Sequence, residues 1–281
     1  MANEQQHEYW NGEAGARWAA EDETMATLLR PVAQDLLAHL QPEPGSYAVD
    51  IGCGGGSQSV LLAESIGAGG EVLGVDISAP MLEIARGRDL PANAAALSFL
   101  ETDAATYAFD PGSVDLLFSR FGVMFFDDPV AAFSNMRYAL KDDGRLGFCC
   151  WQAMKDNQWT LLPVQAALRH IAPPESPDPH APGPFALADP QRLESILAAS
   201  GFGDIVIAPH AVNMNFGSGG GLRETVAELM AVGPVSRLLV DQPAETIARV
   251  VDEGAQVMEP FYTDGKLKLA GAVWFVTANA A

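Results

Sequence analysis

The chain has few cysteines, few positive charges and no long apolar run. Its three cysteines among 281 residues, Cys53, Cys149 and Cys150, cannot build the disulfide framework of a small secreted domain. Cys149 and Cys150 are adjacent in an apolar stretch. In a strand their side chains point to opposite faces and cannot chelate one ion. No other spacing suggests a metal site. Lys and Arg total 16 against 36 Asp and Glu, a net charge of -20. Such a surface repels phosphate backbones and anionic lipid, which argues against nucleic acid and membranes as partners. No apolar run approaches the roughly 20 residues that span a bilayer. The opening Met-Ala-Asn-Glu-Gln-Gln is polar, unlike a signal peptide. The expectation is a soluble, cytoplasmic protein with reduced thiols.

What is present centres on Val49-Asp50-Ile51-Gly52-Cys53-Gly54-Gly55-Gly56-Ser57. Tyr47-Ala48-Val49 is short and β-prone, and Gln58 to Ile66 has a helical composition. A strand running through glycines into a helix makes a nucleotide site. The backbone can approach a ligand without a Cβ in the way, and the helix start offers unpaired N–H groups. The glycines fall at Gly52, Gly54 and Gly56, and Ser57 stands where a dinucleotide fingerprint would need its third glycine. Asp50 at the strand end would repel a pyrophosphate and attract an ammonium group. Val72-Leu73-Gly74-Val75-Asp76 is a second apolar strand ending in an acid, the position from which a carboxylate reaches ribose hydroxyls. A cationic amino-acid end and a ribose together suggest S-adenosylmethionine (SAM).

Val49 to Ser57, Val72 to Ser78, and Phe99-Leu100-Glu101-Thr102-Asp103-Ala104 resemble successive motifs of class I SAM-dependent methyltransferases. The match continues through Ser113 to Trp151, covers roughly Tyr9 to Phe202 and is loose beyond Gly203. Arg120 to Pro129 is similar to the ubiquinone/menaquinone-biosynthesis-like group of that family. The resemblance implies a Rossmann-like, doubly wound α/β fold. Its seven-stranded, mostly parallel sheet would carry an antiparallel last strand, Ala272 to Thr277, inserted between strands five and six. It also implies cofactor contacts at Asp50, Gly52, Cys53, Gly54, Asp76, Ile77, Met81, Asp103, Ala104 and Ser119. Asp103 would accept from the adenine amino group. Met81 would lie against adenine, although at helical spacing it also suits a core. In doubly wound sheets ligands sit beyond the carboxyl ends of the strands, so Ser119, Arg120, Phe121 and Gly122 should line the cleft.

Taken in order, the chain reads as one domain over 1–281. Residues 1–40 form an N-terminal helical flap, with 1–6 disordered and one or two helical turns in 7–20. Tyr9, Trp10 and Trp18 there either dock the segment or close over cofactor and substrate, and Tyr9 and Trp10 are the substrate-side candidates together with Arg120 and Phe121. A helix over 27–40 carries Leu28, Val32, Leu36 and Leu40 on one stripe, with Pro31 starting or kinking it. The SAM-binding core is 41–151, including strand five over 145–151. Residues 152–190 hold eight prolines from Pro163 to Pro190 and read as a lid. Residues 191–281 complete the sheet, with a sixth strand over 204–208 and two helices, 222–240 and 244–257. Those helices suit either a cap or a homodimer surface.

SAM's sulfonium makes its methyl a good electrophile. Direct displacement asks the protein to align the nucleophile, methyl and sulfur and to exclude water. His7, His170, His180, His210 and Tyr9 are loose candidates for a base, and none is assigned. Two functions stand. One is a methyltransferase acting on a small apolar or aromatic molecule, leaving S-adenosylhomocysteine (SAH). The other is a non-catalytic SAM-binding sensor or scaffold.

Overall fold

The protein is described here by a computed structural model covering residues 3–173, 180–217 and 219–280. Helices α1 (Glu4–Asn11), α2 (Glu13–Ala20) and α3 (Asp22–Leu40) precede β1 (Tyr47–Ile51). Then α4 (Ser57–Ile66), β2 (Glu71–Asp76), α5 (Ala79–Arg86), β3 (Ala96–Glu101) and β4 (Val114–Arg120) follow. A 3-10 turn at Gly122–Phe125 leads into α6 (Pro129–Ala139), β5 (Leu140–Trp151) and α7 (Gln158–Ala167). The chain ends with α8 (Pro190–Ala199), β6 (Phe202–Phe216), α9 (Leu222–Ala231), α10 (Gly233–Leu239), α11 (Ala244–Met258), β7 (Tyr262–Thr263) and β8 (Lys266–Ala280).

The sheet runs β3-β2-β1-β4-β5-β8-β6, with the two-residue β7 paired to β8. β1 is parallel to β2 and β4, β2 to β3, and β4 to β5. Antiparallel pairing enters at β8, with β7. This is the expected Rossmann-like fold, with the last strand between β5 and β6 as foreseen. Sequence order reverses at β1, which lies between β2 and β4, so the ligand crevice of such a sheet opens beyond the ends of β1 and β4.

The chain divides into two compact units, where the sequence suggested one domain. The first comprises Met1–Cys150, Pro182–Pro209 and Trp274–Ala281. Its central strands are apolar because both faces are covered: Val49, Leu117, Phe118 and Phe148 have no exposed surface. Phe133 of α6 lies 5.7 Å from Phe148 and 6.4 Å from Phe202, ring centre to ring centre. The second unit comprises Trp151–Ala181 and His210–Val273. In it α7, α9 and α11 bury Ala166, Ala167, Val226, Leu229, Met230, Val250 and Met258. Buried Asn157 accepts from Trp159 Nε1 at 3.2 Å and from the Ala272 N–H at 2.9 Å.

Several boundaries differ from the sequence reading. Of the six residues read as disordered, 3–6 are ordered: Asn3 is buried and Glu4 starts a helix, because Asn3 finds polar partners inside the fold. Residues 1 and 2 lie outside the described residues. The segment 7–20 is nearly all helix, and α3 begins at Asp22, so Pro31 lies within it. β5 starts at Leu140, and β6 continues to Phe216. Pro209 lies inside β6, at the sheet edge, where a missing N–H is tolerated. The helix expected over 222–240 breaks before Gly233, whose φ of 71° leaves the helical region. The proposed lid is split between the units. Its later part belongs to the first: the Gly183 N–H donates to the Met124 carbonyl at 3.0 Å, and Leu187 is buried. Its residues 174–179 lie outside the described residues.

Two glycines fix the spacing at the crevice. A Cβ on Gly52 would stand 2.6 Å from Gly122 Cα, and one on Gly122 would stand 2.8 Å from Gly52 Cα. The turn after β1 and the turn after β4 therefore touch backbone to backbone, and Gly52 also needs its φ of 66°. Overpacking of this kind costs about 1–3 kcal/mol. Gly122→Ala should lower the unfolding midpoint clearly in a thermal melt. Gly87→Ala, where the nearest atom would be an ordinary 3.4 Å away, should leave it nearly unchanged. Equal shifts would refute the close-contact account.

Candidate cofactor and substrate site

The glycine loop is held by its neighbours on every side. The Gly52 and Cys53 N–H groups both donate to the Val75 carbonyl at the end of β2, at 2.9 and 3.1 Å. Gly52, Gly54 and Gly56 all have left-handed φ values. Asp76 accepts from the Gly54 N–H at 2.7 Å through Oδ2 and from the Ser78 N–H at 2.8 Å through Oδ1. Each carboxylate oxygen keeps a second lone pair for a ligand hydroxyl. Burial pushes its pKa up, and these backbone donors pull it back. Asp76 thus organises the loop. Met81 is buried, with its Cε 3.4 Å from where a Gly54 Cβ would be.

Other expected contacts have structural duties. Asp50 has no exposed surface, and its Oδ2 accepts from Ser59 Oγ at 2.5 Å. Burial raises its carboxyl to about 7, so it is partly neutral near pH 7 and a weaker lure for an ammonium than the sequence implied. Because the folded pKa lies above the unfolded one, Asp50 favours folding at low pH, and that contribution falls away as pH rises from about 4 to 7. Cys53 is fully buried against Leu82, Ala85 and Phe99, and burial lifts its thiol well above the usual range. Its side chain is core. Ser119 is also fully buried and does not line the cleft: its Oγ donates to the Ile51 carbonyl at 2.7 Å and accepts from the Gly122 N–H at 3.1 Å. It braces β4 to β1. The carbonyls of Ile77 and Ala104 accept from Asn11 and Asn135, at 2.8 and 3.0 Å.

The cleft end of β4 carries Arg120 and Phe121. Arg120 Nη2 donates to Gln58 Oε1 at 2.9 Å, and Gln58 donates in turn to the Cys53 carbonyl at 2.9 Å. Arg120 Nε and Asp50 Oδ1 are buried without a hydrogen-bond partner among the described residues. Unsatisfied buried groups are costly, and these two have opposite polarity. Burial lowers the Arg120 pKa, while Asp50 and Asp22 counter that effect. Phe121 takes φ 67°, a strained value for a bulky residue, just before the Gly122 contact.

Three elements of the site carried no spacing signal. Asp22, at the start of α3, pairs with Arg88, and Arg88 Nε donates to the Gly55 carbonyl. Asn3 binds Asp103. Asn11 holds the turn after β2, accepting from the Ala79 N–H at 3.0 Å. Above them lie the aromatics. The Trp10 ring is 5.3 Å from Tyr9, 5.9 Å from Trp18 and 5.3 Å from Phe125, all in edge-to-face contacts. The base candidates are scattered: His7 is exposed, and His170 sits 3.9 Å from Glu253 in the second unit. Among the described residues no group of three His, Cys, Asp or Glu side chains could hold a metal, and no helix is long and apolar enough to cross a membrane.

Comparison with known proteins decides the family. Residues 49–148 match the family model described as a methyltransferase domain. The chain is 31% identical over 158 residues to the aklanonic acid methyltransferase of Streptomyces sp. strain C5, covering 54% of this chain and 70% of that one. The chain belongs to the class I SAM-dependent methyltransferases. It is also 31% identical over 192 residues to nocamycin O-methyltransferase of Saccharothrix syringae, covering 68% of this chain and 64% of that one. It thus spans just under two thirds of that relative's length. A solved phosphoethanolamine N-methyltransferase 2 of Haemonchus contortus, in complex with SAM, superposes with a TM-score of 0.53 at 20% identity. That match covers 89% of this chain and 53% of that one, and shows the fold. In this chain the glycine loop, Asp76 and Asp103 lie at the ends of β1, β2 and β3.

Asp76→Ala should weaken SAH binding about tenfold to a hundredfold, since hydrogen bonds to a charged group contribute about 1.5–3 kcal/mol. Asp115 is the control. It sits near the opposite end of β4, bonded to the Tyr47 N–H at 2.8 Å and Lys141 Nζ at 2.6 Å. Asp115→Ala should lower the melting temperature but keep SAH affinity. Calorimetry that found equal affinity losses in two folded variants would remove Asp76 from the site.

Proposed function

We propose that the chain transfers a methyl group from SAM to an oxygen of a small molecule with an apolar or aromatic body. The aromatic wall carries this reading: Tyr9, Trp10 and Trp18 with Phe125, reaching from the turn after β2 to the turn after β4. The Ser78 hydroxyl donates to the Trp10 carbonyl at 2.8 Å, and Gly15 packs 3.5 Å from Pro80, measured from its Cβ position, so the wall is fixed to the turn after β2. Aromatic rings give a flat apolar substrate a large contact area.

The residues fit the cofactor. Asp76 would hold the ribose, Asp103 the adenine edge and the glycine loop the sulfur-bearing chain. When bound, SAM supplies an electrophilic methyl beside a leaving sulfide. The protein's share is to hold the acceptor in line and keep water out. No base is assigned, and an acidic oxygen needs none: a carboxylate, or a phenol or enol that ionises readily, attacks without a base. Arg120 would sit opposite such an anion, and Phe121 would shape its pocket. The name of one relative, an O-methyltransferase, supports an oxygen acceptor.

SAH release from SAM should be measured with a panel of aromatic carboxylic acids, phenols, thiols and alkylamines. Release is expected with the acids and phenols. Release with amines or thiols alone would overturn the oxygen assignment. Tight SAH binding with no release from any acceptor would favour the sensor or scaffold reading.

A further inference from the structure

Asn3 precedes α1, where a side chain ordinarily caps a helix by accepting from its first turn. It makes no such bond and takes a left-handed φ of 57°. The side chain points elsewhere. Its Nδ2 lies 3.0 and 3.2 Å from the two carboxylate oxygens of Asp103. Its Oδ1 accepts from the Asp127 N–H at 2.8 Å, and its backbone N–H donates to Asp127 Oδ2 at 2.9 Å. Only 4% of Asn3 is exposed.

A carboxamide sets an N–H donor beside an acceptor. The amino edge of adenine presents the same pair, an exocyclic N–H beside a ring nitrogen. Asp103 is the carboxylate set against the adenine amino group, and its Oδ1 is also occupied by the Ala105 N–H at 2.9 Å. We propose that Asn3 is an internal competitor of adenine, a latch that must leave Asp103 before the cofactor's amino edge can pair there. The inference rests on the SAM reading of the site.

The other end of α1 is anchored independently. Asn11 Nδ2 donates to the Ile77 carbonyl at 2.8 Å, and Asn11 Oδ1 accepts from the Ala79 N–H at 3.0 Å. These partners are backbone atoms, which leave the Asp76 and Asp103 carboxylates alone. The Asn3 end can therefore release while the Asn11 end stays docked, and the aromatic wall need not disassemble.

The test is calorimetric titration of the full chain with SAH, adenosine and purine riboside, which lacks the amino group. Asn3→Ala removes the latch. Asn3→Asp keeps the side-chain size and sets a third carboxylate between Asp103 and Asp127. Both variants should bind SAH and adenosine about tenfold tighter, the gain expected if roughly one molecule in ten is unlatched. Purine riboside should bind all three proteins alike. Unchanged or weaker SAH binding by the variants, with wild-type binding intact, would overturn the latch and leave the cofactor assignment standing. A gain shared equally by purine riboside would also overturn it. If none of the proteins bound SAH, the cofactor reading would fail with it.

Discussion

The backbone contact between Gly52 and Gly122 is the constraint on which the site depends. It joins the turn after β1 to the turn after β4 with no side chain between them. The Ser119 hydroxyl bridges the same two turns from below, between the Ile51 carbonyl and the Gly122 N–H. With that distance fixed, the glycine loop, Asp76 and the cleft end of β4 form one rigid edge. Phe121 takes its strained φ where this contact dictates the chain path. Backbone strain of this kind persists only when the surroundings over-determine it.

Around the edge lies a buried set of charges. Asp22 and Arg88 clasp the loop at Gly55 from outside, and Gln58 carries Arg120 toward Cys53 from inside. An arginine whose buried Nε has no described partner is an expensive feature in a structure that had no use for it. Its neighbours include Gln58 and the partly neutral Asp50.

The sheet order and the strand–turn units that carry the proposed cofactor residues were legible in the sequence because their signals are local. The spacing of Gly52, Gly54 and Gly56, the acid ending β2, and Asp103 after β3 all fall within single strand–turn units. What could not be read is non-local. Asn3 meets Asp103 across 100 residues, Arg88 meets Asp22 across 66, and Ser119 meets Ile51 across 68. No periodicity encodes such pairs. Ser119 and Cys53 were placed at the ligand by their motif positions, but packing turned both side chains inward. The long β6 was obscured by Pro209, and the break before Gly233 by the apolar run around it.

The central claim is that the strip from Gly52 to Asp103 recognises SAM and its product rather than a dinucleotide. Calorimetric titration of the full chain with SAH and, separately, with NAD tests it most directly. The account predicts saturable binding of SAH and no heat from NAD. Binding of NAD without SAH would contradict it.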